Sequence, residues 1–520
     1  MKINAFFKFI YKNLNFRTQI AQKSAENTVT FGIKVQILPP KSGIMLLLDN
    51  TTKGGKSAMT IMPETIEIDK SVYTLCDGFM KRFRINHLLR TANATKEKGV
   101  PAYDVFAFLL GLVFTGMNMY TLIENCREKV YFGKDTVYRL LQNARINWEL
   151  FLLNLSCSVV AVVGQLTSDD RKSVLIIDDS PYYRNRSKKV EFLSRCFDHV
   201  TQKYYKGLTL LTLGWSDGQT FLPISFRLMG ASDDNNLLVG SREKEDRRTL
   251  ATRRRTDARS GKPALVLSML EAVKGTAAQA KYVLFDSWFS NPSAVLSIRN
   301  LGYHVVARLK NHENYRYDYK GENLPISKIY RASRKRRGRS RYLLSVNVNV
   351  RHEDFGYVIP AKIVYVRDRG NRKKWIALIS TDTALAEDEI IALYGKRWDI
   401  EPFHKVIKSC LRLEKEFQVR SYDAMTAHAT IVMTRYILLS LENRENKDWR
   451  SVNDGYFALC AELEDISFTF AFELIIALIK NCARDSLSLP AELIDTFVEH
   501  FLACLPCIIK DKLVLSYCES

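Results

Sequence analysis

The sequence predicts an α/β protein with helical segments at both ends and a β-rich interruption inside the sheet-forming part. Three observations carry this reading. Two short apolar runs, residues 173–177 (SVLII) and 281–285 (KYVLF), each stop at aspartate, as buried strands of an α/β sheet do where they open onto a site. Between residues 303 and 383 the pattern changes to short alternating strands. Residues 77–163 and the chain from 385 onward carry apolar residues at helical spacing.

A chain of 520 residues is long enough for several domains with cores of their own. Its 47% hydrophobic and 26% charged content excludes a disordered chain. Lys and Arg number 77 against 56 acids, and the resulting +21 points to a polyanionic partner, most simply nucleic acid, with ribosomal or anionic-membrane surfaces as the other members of that class. The ten cysteines are scattered, which fits reduced core residues in a cytoplasmic protein. Cys504 and Cys507 make a lone CxxC, two ligands short of a structural zinc site. The most apolar run, 105–117, is too short to cross a bilayer and reads as a buried helix, so no membrane partner is expected. GGKS at 54–57 fails as a phosphate loop because Asn50 stands where the first glycine belongs.

Taken in order, residues 1–76 form a poorly defined N-terminal arm, with loop-like PPKSG and NTTKGGKSA. Residues 77–165 form a helical DNA-binding domain. In it GKDTVYRLLQNARINW, capped at Asp135 or Thr136, exposes Tyr138, Arg139, Gln142 and Arg145, as a major-groove reader or one helix of an ordinary bundle does. Residues 170–302 supply the strand 173–177, the strands 206–213 and 221–228 joined by a turn at 216–218, a helix over 264–280, the strand 281–285 and a returning helix. Residues 241–262 are so rich in arginine that they read as an exposed linker touching a phosphate backbone. Residues 303–384 are the β-rich insertion, with a basic run at 334–341 that also fits a nuclear-import signal. Residues 385–450 return to helix and 451–520 form a helical C-terminal region, with an apolar run at 468–479.

The chemistry concentrates in residues 394–408, YGKRWDIEPFHKVIK, read as one amphipathic helix. At about 100° per residue, Tyr394, Arg397, Glu401 and Lys408 share an arc of roughly 60°. A carboxylate flanked by two cations and a hydroxyl suits a site holding a divalent metal against a phosphodiester, whereas a solvated face with i,i+4 ion pairs is the ordinary alternative. The acid-ended strands decide between them. Asp179, Asp286 and Glu401 make a triad of oxygen ligands suited to Mg²⁺ or Mn²⁺, without the His and Cys that favour zinc. Two such ions activate an attacking hydroxyl and stabilise a leaving oxygen.

DDSPYYRNRS, the strand ending FDSWF, and YGKRWDIEPFHKVIK resemble the three motif regions of the insertion sequence 4 family of DDE transposases. Tyr394, Arg397, Glu401 and Lys408 match the family's Y-x2-R-x3-E-x6-K signature at every position, and the resemblance spans about residues 77–446. It implies a ribonuclease H-like catalytic core interrupted by a β-strand insertion between the second aspartate and the glutamate. It implies Asp179, Asp286 and Glu401 as catalytic metal ligands, and Tyr394, Arg397 and Lys408 as DNA contacts. Trp375 matches the insertion-domain tryptophan that stacks on a displaced base, with a core tryptophan on a strand as the other reading. The first ligand has two candidates: Asp179, directly before the hydroxyl of Ser180, fits the family pattern, and Asp178 is the alternative. The resemblance further implies a bacterial, nucleoid-associated transposase acting by cut-and-paste on terminal inverted repeats and target DNA as a synaptic homodimer. A non-catalytic DNA-binding descendant and a nuclease of the same fold are the rival functions.

Overall fold

The computed structural model describes residues 32–36, 45–49, 60–61, 71–96, 98–115, 119, 132–168, 170–198, 201–241, 248–336, 340–368, 371, 374–446, 475–481, 483–484 and 490–506, with single residues at 452, 456, 460, 472 and 509. The chain divides into two compact units. The first, residues 1–68 with 124–131, contains a small antiparallel sheet of β1 (Gly32–Gln36), β2 (Met45–Asp49) and β3 (Thr60–Ile61). The stretch expected to be an undefined arm therefore contains strands, while PPKSG and GGKS lie outside the described residues.

The second unit opens with α1 (Ser71–Arg82), α2 (Ile85–Thr91), α3 (Ala102–Leu112), α4 (Lys134–Leu141) and α5 (Trp148–Gln165). The apolar run at 105–117 folds as α3 and a following 3₁₀ turn, and buries Val105, Phe106, Leu109 and Leu110. Phe106 meets Phe151 edge-on at 5.2 Å. Helix α4 exposes Tyr138 and Arg139 as expected, but it ends at Leu141, so Gln142 and Arg145, though exposed, lie beyond it; Gly133 is its N-cap and neither Asp135 nor Thr136 caps it.

The main sheet follows. Strand β4 (Val174–Tyr183) leads to β5 (Ser194–Asp198), β6 (Lys203–Ser216) and β7 (Phe221–Met229). Then come α6 (Leu250–Arg259), α7 (Lys262–Val273), β8 (Tyr282–Phe285), α8 (Pro292–Asn300) and β9 (His304–Arg308). At its centre the order is β7–β6–β4–β8–β9, antiparallel from β7 to β4 and parallel from β4 to β9. Near-continuous apolar runs such as Val174–Ile177 are what a parallel strand covered on both faces needs. The strand at the start of the 303–384 stretch is therefore a central strand, and the inserted β-structure begins after Arg308. It comprises β10 (Arg316–Tyr319), β11 (Glu322–Pro325), α9 (Ile326–Ala332), β12 (Tyr342–Val350), β13 (Ile359–Arg367) and β14 (Trp375–Ser380). It does not form a separate sheet, because β14 pairs with β9 and so continues the central one.

The arginine-rich stretch 241–262 departs from its expectation as an exposed linker. Its described part is mostly helix α6, and Arg255 is only 2% exposed. Arg255 bonds both Glu191 (2.7 Å) and Asp423 (2.9 Å), and Arg254 also reaches Asp423. Two buried acids from distant segments need these cations, since a buried charge without a partner is costly. Composition alone does not reveal such partners.

The chain ends with α10 (Glu387–Gly395), α11 (Ile400–Ser409), α12 (Tyr422–Glu445) and, in the C-terminal region, α13 (Ala491–Ala503). By length and composition α5 and α12 are apolar enough to cross a membrane, but α12 is enclosed by this protein along its length and α5 packs on β7. Within α12, Arg435 lies fully buried against Glu416 and the carbonyl of Leu110.

Candidate active site

Parallel register creates the centre of the site. Ile177 of β4 lies beside Phe285 of β8, so the next residues along the two strands are Asp178 and Asp286. Strand β8 stops there. Asp286 caps a short 3₁₀ turn, its Oδ1 accepting hydrogen bonds from the Ser287 amide (2.7 Å) and the Tyr394 hydroxyl (3.4 Å). Strand β4 does not stop, contrary to the expectation that both acids follow a strand ending at 177. The long partner β6 keeps it paired as far as Tyr183, so Asp178 and Asp179 sit within the strand, at the point where its parallel neighbour ends.

Alternation along a strand sends consecutive side chains to opposite faces. Asp178 and Ser180 face α11. The Arg397 guanidinium stands 3.7 Å from Asp178 and 3.5 Å from Glu401, and Lys408 donates to the Ser180 hydroxyl at 2.6 Å. Asp179 turns the other way and pairs with Lys262, whose ammonium lies 4.9 Å from the centre of the Trp288 ring. Burial and the charge of Asp179 push the Asp178 carboxyl up to about 7, against the downward pull of Arg397. Burial also pulls the Lys408 ammonium down and holds His404 at about 3, in its neutral form.

Residues 394–408 are not one helix. Helix α10 ends at Gly395, a 3₁₀ turn covers Lys396–Asp399, and α11 resumes at Ile400. Pro402 explains the break: it has no amide hydrogen to give the carbonyl of Trp398, and its ring crowds that carbonyl. The turn is pinned from below. Lys396 donates to the carbonyls of Lys172 (2.6 Å) and Asp217 (3.0 Å), and Ser216 donates to Asp399 at 2.6 Å. Gly218, with φ 90°, allows this approach, because a Cβ there would lie 2.9 Å from the Lys396 side chain. The other face of α11 is apolar, and Phe403 packs against Phe221 (5.0 Å) and Tyr436 (4.8 Å). Burying such a ring contributes roughly 1.5–3 kcal/mol, enough to keep Glu401 on a fixed support.

These groups line a cleft of about 1380 Å³. That exceeds the roughly 300–1,000 Å³ of a small-molecule pocket and suits a polymer. The cleft gathers Asp178, Asp179, Asp286, Tyr394, Arg397 and Glu401. Lys408 reaches β4 at Ser180, beside the cleft. Trp375 is not part of it. Ile376 and Leu378 line the cleft, so the strand alternation turns Trp375 to the opposite face, where it stacks on Tyr330 at 4.9 Å.

The sequence reading missed Lys262, Trp288, Arg308, Lys310, Trp398 and His404, all of which line the cleft. Arg308 and Lys310 had a signal, since they end a buried strand as Asp286 does. Trp398 is 60% exposed, with the Arg397 guanidinium 4.6 Å from its ring centre. Nothing in local sequence distinguishes it from a core tryptophan.

Among the described residues no three acidic, imidazole or thiol groups converge as a ready-made ion cage. Arg397 stands between Asp178 and Glu401 instead. The donor set still fits Mg²⁺ or Mn²⁺, which bind through one or two carboxylates completed by water and substrate phosphate. Burial, with the Asp179 charge beside it, is what raises Asp178, and a cation at the carboxylate would offset both.

Residues 107–359 match the family model for DDE superfamily endonucleases. The match takes in Asp178, Asp179 and Asp286 and stops before Glu401. It supports a DDE-type endonuclease domain, and with it a metal-dependent nuclease- or transposase-type activity on DNA. No curated protein matches the chain.

Proposed function

We propose that this protein is a transposase of the insertion sequence 4 type, which binds terminal inverted repeats and catalyses metal-dependent DNA strand cleavage and strand transfer. The observation that carries the reading is the grouping of Asp178, Asp286 and Glu401 around Arg397 and Tyr394, in a cleft too large for a small molecule. The sheet order β7–β6–β4–β8–β9, three antiparallel strands followed by two parallel ones, supports a ribonuclease H-like core, with β10–β14 as its insertion.

Each residue has a role in this reading. Asp286 and Glu401 hold Mg²⁺ or Mn²⁺, two ions in all, with one of the aspartates on β4. Asp178 is the better candidate than Asp179, because it shares the Arg397–Glu401 face while Asp179 is bound to Lys262. The metal supplies an activated hydroxyl nucleophile and charge stabilisation of the leaving oxygen. Arg397 grips a non-bridging phosphate oxygen beside the carboxylates, and Tyr394 fixes the Asp286 carboxyl through its hydroxyl. Lys408 holds Ser180 and offers a second cation to the strand. Trp375 is left as a support of the insertion. The protein acts as a homodimer joining two element ends, then target DNA, in the nucleoid of a bacterial cytoplasm.

The test is nicking of a duplex element end. Glu401→Gln and Asp286→Asn are expected to bind DNA like wild type and to lose Mg²⁺- or Mn²⁺-dependent cleavage. A Glu401→Gln variant that cuts at a rate close to wild type would remove the basis of this reading.

A further inference from the structure

Outside the cleft, the hairpin of β5 and β6 exposes a cluster of rings and cations. Phe197 pairs with Tyr204 and Arg195 with Lys206 in antiparallel register, so all four share one face of the ribbon. All four are exposed, Tyr204 by 59%. The Arg195 guanidinium lies 4.2 Å from the centre of the Tyr204 ring, and Phe197 meets that ring edge-on at 5.1 Å. Lys203, opposite Asp198 in the same register, belongs to the other face. The one carboxylate of the ribbon, Asp198, is buried and accepts hydrogen bonds from Tyr183 and Thr201. Charge alone on an edge strand discourages pairing with another chain. Two large rings held open to water beside the cations do not serve that end.

Register also fixes which way the cluster looks. Tyr182 pairs with Leu208 and Asp178 with Thr212, so Tyr204 and Lys206 are on the sheet face of Asp178 and Ser180. Thr212 and Tyr204 are eight residues apart on β6, about 26 Å of strand at 3.3 Å per residue. Tyr182, Leu208, Leu210 and Thr212, which lie between the carboxylates and the hairpin on this face, are buried, so the hairpin is a surface of its own at that distance from the carboxylates.

The geometry points to a binding surface for unpaired DNA on this hairpin, with bases stacking on Tyr204 and Arg195 while Lys206 neutralises a phosphate. A duplex hides its base faces and would use the cations alone. An unpaired strand uses both, since aromatic rings and guanidinium planes stack on any base. The inference deepens the proposed function, from which it takes DNA as the polymer and strand cleavage as the step that frees a strand end.

Fluorescence anisotropy of the full chain without metal, using an oligothymidine of about 15 nucleotides and a blunt duplex of equal length, tests it. Tyr204→Ala and Arg195→Ala are each expected to weaken oligothymidine binding about tenfold and duplex binding less than about twofold, with Tyr204→Trp retaining both. Both side chains are exposed, so melting temperatures should stay at the wild-type value and exclude misfolding. Absence of oligothymidine binding by wild type, an unaffected Tyr204→Ala, or equal losses on both probes would each overturn the surface. Duplex nicking separates the two readings. Intact nicking without a Tyr204 effect rejects the surface alone, and loss of stacking in a protein that cuts no duplex rejects the catalytic reading alone.

Discussion

Asp178 and Asp179 are adjacent and chemically identical, and the pleat gives them different partners. Asp178 shares its face with Arg397 and Glu401, and Asp179 answers Lys262 on the other. The sequence pattern, an acid directly before a hydroxyl, favours Asp179, and the face each acid shares is not visible in a string. Facing is set by what covers each side of the sheet, here α11 and the start of α7. Asp178→Asn is therefore expected to lower single-turnover nicking by about 100-fold or more, the scale of a misplaced reacting group. Asp179→Asn should be milder, about tenfold or less, since it loses an ion pair at the rim. The rates of the two variants on one nicked-end substrate check this, and the reverse order would return the ligand to Asp179.

Elements were legible where the pattern was local. The acid-ended strand β8, the core helix α3 and the inserted strands occupy their expected places, because apolar runs and alternation report burial directly. Two elements were not. The broken helix at 396–399 depends on Pro402 and on a turn, Ser216–Gly218, nearly two hundred residues earlier in the chain. The arginines of α6 looked like backbone clamps because their buried acids, Glu191 and Asp423, are remote in sequence. This second case gives a sharp expectation. Arg255→Ala leaves two nearly inaccessible carboxylates short of a counter-charge, a loss of about 3–5 kcal/mol by the usual cost of breaking a buried pair. Urea unfolding should register it as a lower midpoint, while DNA affinity of the folded fraction stays at the wild-type value. Weaker DNA binding at unchanged stability would restore α6 to the nucleic-acid surface.

For the whole molecule, the question is where the +21 meets DNA. Net charge named the partner class correctly in kind but could not distribute the cations, and the densest runs misled. Arg254 and Arg255 serve the core. In the basic run at 334–341, Lys335 lies over Tyr330 (4.9 Å) and Arg336 over Tyr342 (4.6 Å), so both cover the insertion's own aromatics, and residues 337–339 lie outside the described residues. Arg341 alone among the described residues of that run lines the cleft. Arg308 and Lys310, two isolated cations at the end of β9, line it as well. Each phosphate neutralised releases counterions and adds about −0.9 to the log–log dependence of affinity on salt. Arg308→Ser with Lys310→Ser should then flatten the slope by roughly 1.8, about the same on any DNA sequence, because phosphate contacts carry no base information. Lys335→Ser with Arg336→Ser, equal in charge removed, should change it by a few tenths. Titrations of both double variants between about 50 and 200 mM salt decide the matter. Equal flattening would mean that DNA responds to total charge, and the cleft would lose its claim to be the path of the strand.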